Sequence, residues 1–168
     1  MIVVFVRHGT AEKGKSHDGD AQRALTPVGR EKFTRAAAGI ARILSGRAAL
    51  FLWSSPLVRA RQTAEILAEQ IGLSKPVMCT FLAEPSWGNV VVALRALPAD
   101  ACVLLVGHEP MLGMWCEDLC GAHLPFRRGA AAAVKLPDTA SGQGELLWFL
   151  QPRALRRIGE GNRDRDNK

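Results

Sequence analysis

The chain has 168 residues, of which 48% are hydrophobic, and its formal net charge is +6. This length and apolar content fit one soluble globular domain that buries a full core. The apolar N-terminus has no basic lead and reaches an arginine too soon for a signal peptide, and no apolar run approaches membrane-spanning length, so we expect a cytoplasmic protein that does not bind membranes.

A short apolar run followed by an arginine and a histidine begins the sequence. The run Ile2–Val6 is short for a helix and rich in β-branched residues, so it predicts a buried strand that ends where Gly9 lets the backbone turn. Arg7 and His8 then lie at the C-terminal end of this strand, the edge where ligands bind in open α/β sheets. We therefore interpret both as candidate site residues.

A second strand and the helix after it bring another arginine to the same edge. The strand is predicted at Leu50–Trp53, and Ser55 and Pro56 follow it as a helix-capping residue and a residue suited to the first helical position. A helix over residues 56–71 places Arg59 about one turn in, near the positive end of the helix dipole. Most helix arginines are solvated surface charges, but the shared strand edge favours a binding role here.

A third strand, Cys102–Val106, leads into Gly107-His108-Glu109-Pro110, another glycine-histidine turn with a proline that opens a helix. Three strand ends thus supply two histidines, at least two arginines and two helix N-termini. This set is suited to a tetrahedral dianion such as a phosphoryl group, because guanidinium forks and free backbone amides match its oxygens. We expect a phosphate or sulfate anion at this site.

Strands alternate with helices along the rest of the chain. Helices are predicted over residues 27–44, 87–97 and 110–120, and two closing strands over 130–136 and 145–150, with a polar turn at 138–144. This alternation predicts an α/β three-layer sandwich, in which a mostly parallel central sheet has helices on both faces.

The end of the chain is basic. We place the domain at residues 1–152 and a tail at 153–168 that we expect to be disordered, apart from a last helical turn near Arg153–Arg157. From Gln151 onward, five arginines and one lysine against three acids contribute +3 of the net charge. The tail has no aromatic residue for base stacking, so we expect no nucleic-acid partner.

The four cysteines lie inside predicted strands or helices, at positions 79, 102, 116 and 120. This placement favours reduced core residues over a disulfide framework. Cys116 and Cys120 share a helix face, but His123 is the only nearby candidate for a further metal ligand, so we predict no metal site and no cofactor.

Four blocks in this order and spacing carry a family resemblance: Arg7-His8-Gly9, Leu25–Arg30, Ser55–Thr63 and Val106–Pro110. The chain resembles the histidine phosphatase superfamily from residue 1 to about residue 150, and within it is similar to the small SixA-type phosphohistidine phosphatases. The resemblance implies a minimal phosphoglycerate mutase-like fold without a lid. It also implies that His8 is the catalytic nucleophile that becomes phosphorylated. Arg7, Arg59 and His108 then hold the phosphoryl oxygens.

The chemistry of these residue types agrees with that assignment. An imidazole is a nucleophile only when unprotonated, so His8 has to keep one nitrogen lone pair free while its other nitrogen donates to a fixed acceptor. Phosphoryl transfer requires mainly positioning and positive charge around the oxygens, which arginines provide without a metal. Water then releases the phosphate from phospho-His8.

The general acid is less well defined. In many superfamily members a glutamate protonates the leaving group, and the catalytic candidate here is Glu84, in the loop 81–88 after a short strand at 77–80. The alternative that Glu84 is an ordinary loop carboxylate is equally supported. Larger relatives have more acidic and glycine-rich sequence after this glutamate, whereas here Trp87 and a helical pattern follow at once. A phosphohistidine substrate needs the acid less, since its imidazole can be protonated beforehand. Glu109 suits helix capping better than catalysis.

Three functions compete. The first is a phosphohistidine phosphatase acting on a protein of a bacterial-type relay or phosphotransfer system. The second is a hydrolase of small phosphorylated metabolites or short polyphosphates, and the third is a phosphate-binding module without catalysis. Retention of His8 with its cationic neighbours disfavours the third. The connections 63–80 and 87–102 are too short for a helical lid, and an open site favours the protein substrate.

Overall fold

The computed structural model describes residues 1–14, 19–137 and 143–161. The strands in this part of the chain are β1 (Ile2–Arg7), β2 (Leu50–Ser54), β3 (Val77–Met78), β4 (Cys102–Gly107), β5 (Ala131–Lys135) and β6 (Glu145–Leu150). The helices are α1 (Pro27–Ile43), α2 (Val58–Ile71), α3 (Trp87–Leu94), α4 (Met111–Cys120) and α5 (Pro152–Glu160), with short 3-10 turns at Asp20–Gln22 and Thr80–Ala83.

The six strands form one sheet in the order β3-β2-β4-β1-β5-β6. Strands β1 to β4 are mutually parallel, β5 is antiparallel to β1, and β6 is antiparallel to β5. Arg7 pairs with Gly107, and Ser54 pairs with Val106, so β1, β4 and β2 end side by side. The segments that follow these three strands are therefore neighbours at one edge of the sheet.

Alternate residues of the strands separate the core into two halves. Val3 and Phe5 of β1 pack with α3 and α4, whereas Val4 and Val6 pack with α1, α2 and α5. Helices thus cover both faces of a mostly parallel sheet. The predicted three-layer α/β sandwich is confirmed.

The start of α2 differs from the prediction. We expected the helix to begin at Pro56, but it begins at Val58, because the Ser55 hydroxyl oxygen accepts the N–H of Leu57, 3.3 Å away, in a turn that precedes the helix. Arg59 is consequently in the first turn of α2. The start of α1 agrees with its prediction, since Thr26 Oγ1 accepts the N–H of Gly29 as an N-cap.

The last helix extends the folded part of the chain beyond the boundary that we expected. Residues 153–160, assigned above to a tail, belong to α5, which packs along α1 and buries Leu155 completely. The two helices approach closely at glycines, because a Cβ on Gly39 would lie only 2.0 Å from the carbonyl oxygen of Leu155. Residues 162–168, and most of the turn predicted at 138–144, lie outside the described residues.

All four cysteines are free, as predicted, and three of them are buried. Cys120 donates its thiol hydrogen to the carbonyl of Cys116, one helical turn earlier, at 2.9 Å. None of the helices in the described ranges has the length and apolar character needed to cross a bilayer.

Candidate active site

His8 follows β1 and is only 7% exposed. Its Nδ1 lies 2.7 Å from the carbonyl oxygen of Gly9. A carbonyl oxygen only accepts hydrogen bonds, so Nδ1 carries the ring hydrogen and Nε2 keeps a lone pair. Burial, together with the nearby charges of His108, Arg59 and Arg7, lowers the pKa of His8 to about 3. The ring is therefore neutral at pH 7 with Nε2 unprotonated, as a nucleophile requires.

Arg59, in the first turn of α2, reaches this ring. Its Nε donates to His8 Nε2 at 3.3 Å, and the side chain is 7% exposed. The two terminal nitrogens both contact Asp20: Nη1 donates to its carbonyl oxygen and Nη2 to its carboxylate, each at 2.7 Å. Arg59 is thus a buried, oriented guanidinium and not a solvated helix arginine.

Asp20 is a residue of the site that the sequence analysis missed. Its carboxylate binds Arg59 and also Arg23, 2.5 Å away. Partial burial favours the neutral carboxyl, but the hydrogen bonds and charges of Arg59 and Arg23 outweigh it and hold the pKa of Asp20 below its ordinary value. The sequence feature that could have pointed to Asp20 is its spacing of three residues from Arg23, just before the Leu25–Arg30 block.

His108 follows β4 and lies beside His8, with the ring centroids 5.1 Å apart. Its Nε2 is 2.8 Å from Ser55 Oγ, which also accepts the N–H of Leu57. When the Ser55 hydroxyl donates to Nε2, the ring hydrogen of His108 is on Nδ1, a buried atom without a partner among the described residues. Burial, with the charges of Arg59 and Arg7, lowers the pKa of His108 to about 4.

Arg7, the last residue of β1, directly precedes His8 and its charge acts on the His8 ring. Its Nη1 donates to the carbonyl of Phe126 at 2.5 Å, whereas its Nε is buried and has no partner in the described part of the chain. Burial lowers the pKa of Arg7, Glu109 opposes this shift, and Arg128 adds to it. Unpartnered buried N–H groups are rare, so Arg7 Nε is suited to bind an anion, and so is Nδ1 of His108 when it carries the ring hydrogen.

Thr63 links the loop after β1 to α2, a connection that the sequence analysis also missed. Its fully buried hydroxyl accepts the N–H of Gly9 at 3.0 Å and donates to the carbonyl of Arg59 at 2.7 Å. Gly9 in turn accepts the hydrogen bond from His8. One hydroxyl therefore ties the backbone beside His8 to the helix that carries Arg59.

The two candidate carboxylates differ in their surroundings. Glu84 is exposed, follows the turn Thr80–Ala83, and its carboxylate makes no hydrogen bond or ion pair with any described residue. That turn lies close to the end of β4, because the carbonyl oxygen of Leu82 is 3.8 Å from the position of a Cβ on Gly107. Glu109 is partly buried and accepts the N–H of Gly113 in α4, as expected of a capping residue, and burial raises its pKa.

No group of three or more histidine, cysteine or acidic side chains in residues 1–14, 19–137 and 143–161 is arranged to hold a metal ion. His123 contacts Glu117, with its Nδ1 3.3 Å from the carboxylate. The polar groups that converge beside His8 are N–H donors, the arrangement that an oxyanion needs.

Comparisons with known proteins show which family the chain resembles. The family model of the histidine phosphatase superfamily (branch 1) matches residues 3–93. The chain is 32% identical to an uncharacterized protein of Picosynechococcus sp. over 165 residues, covering 92% of this chain and 99% of that protein. It is 30% identical to the phosphohistidine phosphatase SixA of Escherichia coli over 160 residues, covering 90% of this chain and 94% of that protein.

A solved structure described as the protein histidine phosphatase SixA complexed with tungstate is similar throughout. It superimposes with a TM-score of 0.78 at 30% identity, over 92% of this chain and 99% of that one. The chain belongs to the histidine phosphatase superfamily.

Proposed function

We propose that this protein is a phosphatase that transfers a phosphoryl group to His8 and then to water, and that its substrate is a phosphohistidine carried by another protein. The observation that carries the proposal is the buried His8 ring, whose Nε2 is unprotonated and accepts the N–H of Arg59. The 30% identity to a phosphohistidine phosphatase along 90% of the chain supports the choice of substrate.

The reaction has two steps. His8 Nε2 attacks the phosphorus with its lone pair, and the bond from phosphorus to the substrate imidazole breaks, leaving the electron pair on that imidazole. A water oxygen then attacks phospho-His8, the bond from phosphorus to Nε2 breaks, and inorganic phosphate leaves while a proton passes to solvent. The Nδ1 hydrogen bond to Gly9 holds His8 in the same tautomer throughout.

The chain's own side chains supply the positive charge for both steps. Arg7 and Arg59 are guanidinium groups whose charges both act on His8, and His108, when its ring hydrogen is on Nδ1, offers an N–H donor from a neutral ring. Such donors stabilise the charge that develops on the phosphoryl oxygens. On this proposal, the reaction needs no metal ion.

Glu84 is the proposed proton donor for leaving groups that need one. Its side chain is exposed and follows the turn Thr80–Ala83, in which the carbonyl of Leu82 lies near the end of β4. A substrate imidazole that is already protonated leaves without this help, so Glu84 is less important for phosphohistidine than for phosphate esters.

The layout of the chain between α2 and β4 favours a protein substrate. This part contains only β3, one 3-10 turn and the eight-residue helix α3. Trp87 of α3 packs against Phe5 and Trp115, with centroids 6.0 and 5.6 Å apart, so α3 is part of a core layer and not a cover over His8. An uncovered site admits a phosphohistidine on a protein surface, whereas a small substrate benefits from closure.

A trapping experiment tests the intermediate. Wild-type protein is mixed with a phosphohistidine protein labelled with 32P, quenched within milliseconds and digested, and we expect acid-labile phosphate on the peptide that contains His8. His8→Ala should abolish both the label and turnover while leaving the fold intact. His123→Ala is the matched control, because the His123 side chain is 79% exposed. Full activity of His8→Ala would overturn the mechanism.

A substrate panel tests the specificity. Phosphohistidine proteins, phosphoramidate, sugar phosphates and short polyphosphates are compared by kcat/KM. The proposal expects the phosphohistidine proteins to give the highest value. A higher value for sugar phosphates or polyphosphates would instead assign the protein to the hydrolases of small phosphorylated compounds.

A further inference from the structure

A groove lined by basic side chains lies beside the candidate active site. It is a cavity of about 500 Å³ between α1, the turn at residues 127–129 and α5. Its cations are Arg7, Lys32, Arg127, Arg128 and Arg156. We call it the basic groove.

Four of the five cations of the basic groove have no ion-pair partner in the described part of the chain, whereas the charge of Arg7 is partly offset by Glu109, which lines an adjoining cavity with Arg7 and Arg127. No described aspartate or glutamate lines it, and Lys32, Arg127, Arg128 and Arg156 form no ion pair with a described residue. The cations of the groove repel one another, since the charge of Arg128 contributes to the lowered pKa of Arg7. Uncompensated cations around one cavity raise the local concentration of anions, so the groove is suited to an anionic ligand.

The turn that carries Arg127 and Arg128 is attached directly to the backbone of the candidate active site. The N–H of Gly129 donates to the carbonyls of both Arg7 and His8 at 3.1 Å, and the N–H of Arg7 donates to Ala130 at 3.0 Å. Gly129 has a φ of 84°, which favours glycine at this position. The two arginines are therefore held at a fixed place relative to His8.

The other wall is attached to the same turn. Gln151, just before α5, donates its side-chain N–H to the carbonyl of Pro125 at 2.9 Å and accepts the N–H of Arg127 at 3.4 Å. Arg156 follows on α5, and Lys32 faces the groove from α1. The groove is thus built from elements that contact one another.

Arg7 belongs both to the groove lining and to the cluster around His8. A molecule whose phosphoryl group lies at His8 consequently reaches the basic groove without crossing another element. The floor of the groove contains the apolar residues Phe33, Ala36 and Pro152. An acidic protein segment offers carboxylates to the cations and aliphatic groups to this floor, whereas a polyphosphate offers only the anions.

We propose that the basic groove binds acidic side chains that flank the phosphohistidine of the protein substrate. This inference rests on the proposed function, and it assigns to that substrate a carboxylate-rich surface next to its phosphorylated histidine. Arg127, Arg128, Lys32 and Arg156 are specificity residues on this view, and they take no part in phosphoryl transfer.

The test uses two peptides of equal length, each phosphorylated on one histidine. In one peptide glutamates flank the histidine, and in the other glutamines occupy the same positions. Wild-type protein should hydrolyse the glutamate peptide with a kcat/KM about ten-fold higher, mainly through KM, and raising the ionic strength should reduce this preference.

The variant that removes the proposed contacts is Arg127→Gln/Arg128→Gln. It should lose most of the preference for the glutamate peptide while hydrolysing the glutamine peptide and phosphoramidate at nearly the wild-type rate. Lys32→Gln and Arg156→Gln should each lose part of the preference for the glutamate peptide. Arg153→Gln is the matched control, because Arg153 is exposed on α5 but does not line the groove, and it should keep the full preference.

Three results would overturn the inference. Equal kcat/KM values for the two peptides with wild-type protein would show that the groove does not bind the flanking carboxylates. An equal loss on all substrates in the double variant would assign the arginines to the chemistry. Tighter binding of a short polyphosphate than of the glutamate peptide would assign the groove to that ligand.

A failure of the proposed function can be distinguished from a failure of the inference about the groove. If neither phosphorylated peptide is hydrolysed, the proposed substrate is wrong. The groove is then tested alone, by fluorescence anisotropy with the two unphosphorylated peptides, where wild-type protein should still prefer the glutamate peptide and Arg127→Gln/Arg128→Gln should not.

Discussion

Replacing Arg59 with lysine separates an oriented guanidinium from a simple positive charge. Arg59 makes three hydrogen bonds, one to His8 Nε2 and two to Asp20, and each comes from a different nitrogen of the planar group. A lysine has a single nitrogen on a flexible stem, so at most one of these positions is filled. The net charge is unchanged by Arg59→Lys.

The expected loss follows from where each hydrogen bond lies. The Asp20 side chain is 65% exposed, so its ion pair with Arg59 is screened by water and contributes less than about 1 kcal/mol. The position beside His8 is buried, and a charge-assisted hydrogen bond there contributes about 1.5 to 3 kcal/mol. In the transition state the Nε2 lone pair bonds to phosphorus, so the Arg59 N–H that lies beside it donates to a phosphoryl oxygen instead. Loss of that hydrogen bond predicts a decrease of about ten-fold to a hundred-fold in kcat/KM.

The assay is steady-state hydrolysis of phosphoramidate, a substrate too small to reach the basic groove. Arg61→Lys is the control, because Arg61 lies on the same helix, has a side chain that is 48% exposed, and forms its ion pair with Glu65. Thermal unfolding of both variants checks the fold. The reasoning is refuted if Arg59→Lys, like Arg61→Lys, stays within about two-fold of the wild-type kcat/KM.

Three further predictions test other parts of the structure. Gly39→Ala should destabilise the protein by about 1 to 3 kcal/mol in urea unfolding, since a Cβ there clashes with the backbone of α5, whereas Gly88→Ala, with open space around it, should be nearly neutral. Glu84→Gln should slow sugar phosphate hydrolysis by about a hundred-fold and phosphoramidate hydrolysis much less, and equal losses would indicate a binding role. The rings of His8 and His108 should titrate below pH 5 by NMR, because burial lowers their pKa values to about 3 and about 4. The unfolded chain takes up these protons near pH 6.5, so stability should fall as the pH drops from about 6.5 to about 3, and ring titration near 6.5 would contradict the burial.

Local patterns were sufficient for the sheet and for the main candidates of the site. Apolar runs of four or five residues with glycine or serine soon after them mark the strand ends, because a buried strand needs continuous apolar side chains and a turn needs residues that permit it. Parallel strands bring their C-terminal ends to one edge. His8, Arg59 and His108 therefore come together from positions far apart in the chain, as the sequence alone predicted.

Tertiary structure alone decided the partners of these residues. Asp20 binds Arg59 across 39 positions, and Thr63 binds Gly9 across 54, and neither pairing has a local pattern because each depends on the path of the chain between the partners. The tautomer of His8 likewise depends on which backbone oxygen its ring meets.

The basic groove and the packing of α5 could not be predicted from the sequence either. In the sequence, Arg127, Arg128 and Arg156 are surface charges like many others, and residues 153–160 have the polar composition of a tail. The packing of α5 on α1, with its close approach at Gly39, brings Arg156 to the groove, and the backbone hydrogen bonds of Gly129 to Arg7 and His8 place Arg127 and Arg128 there. Composition and periodicity determine which residues are buried in each element, whereas the neighbours of an exposed charge are set by contacts between distant elements.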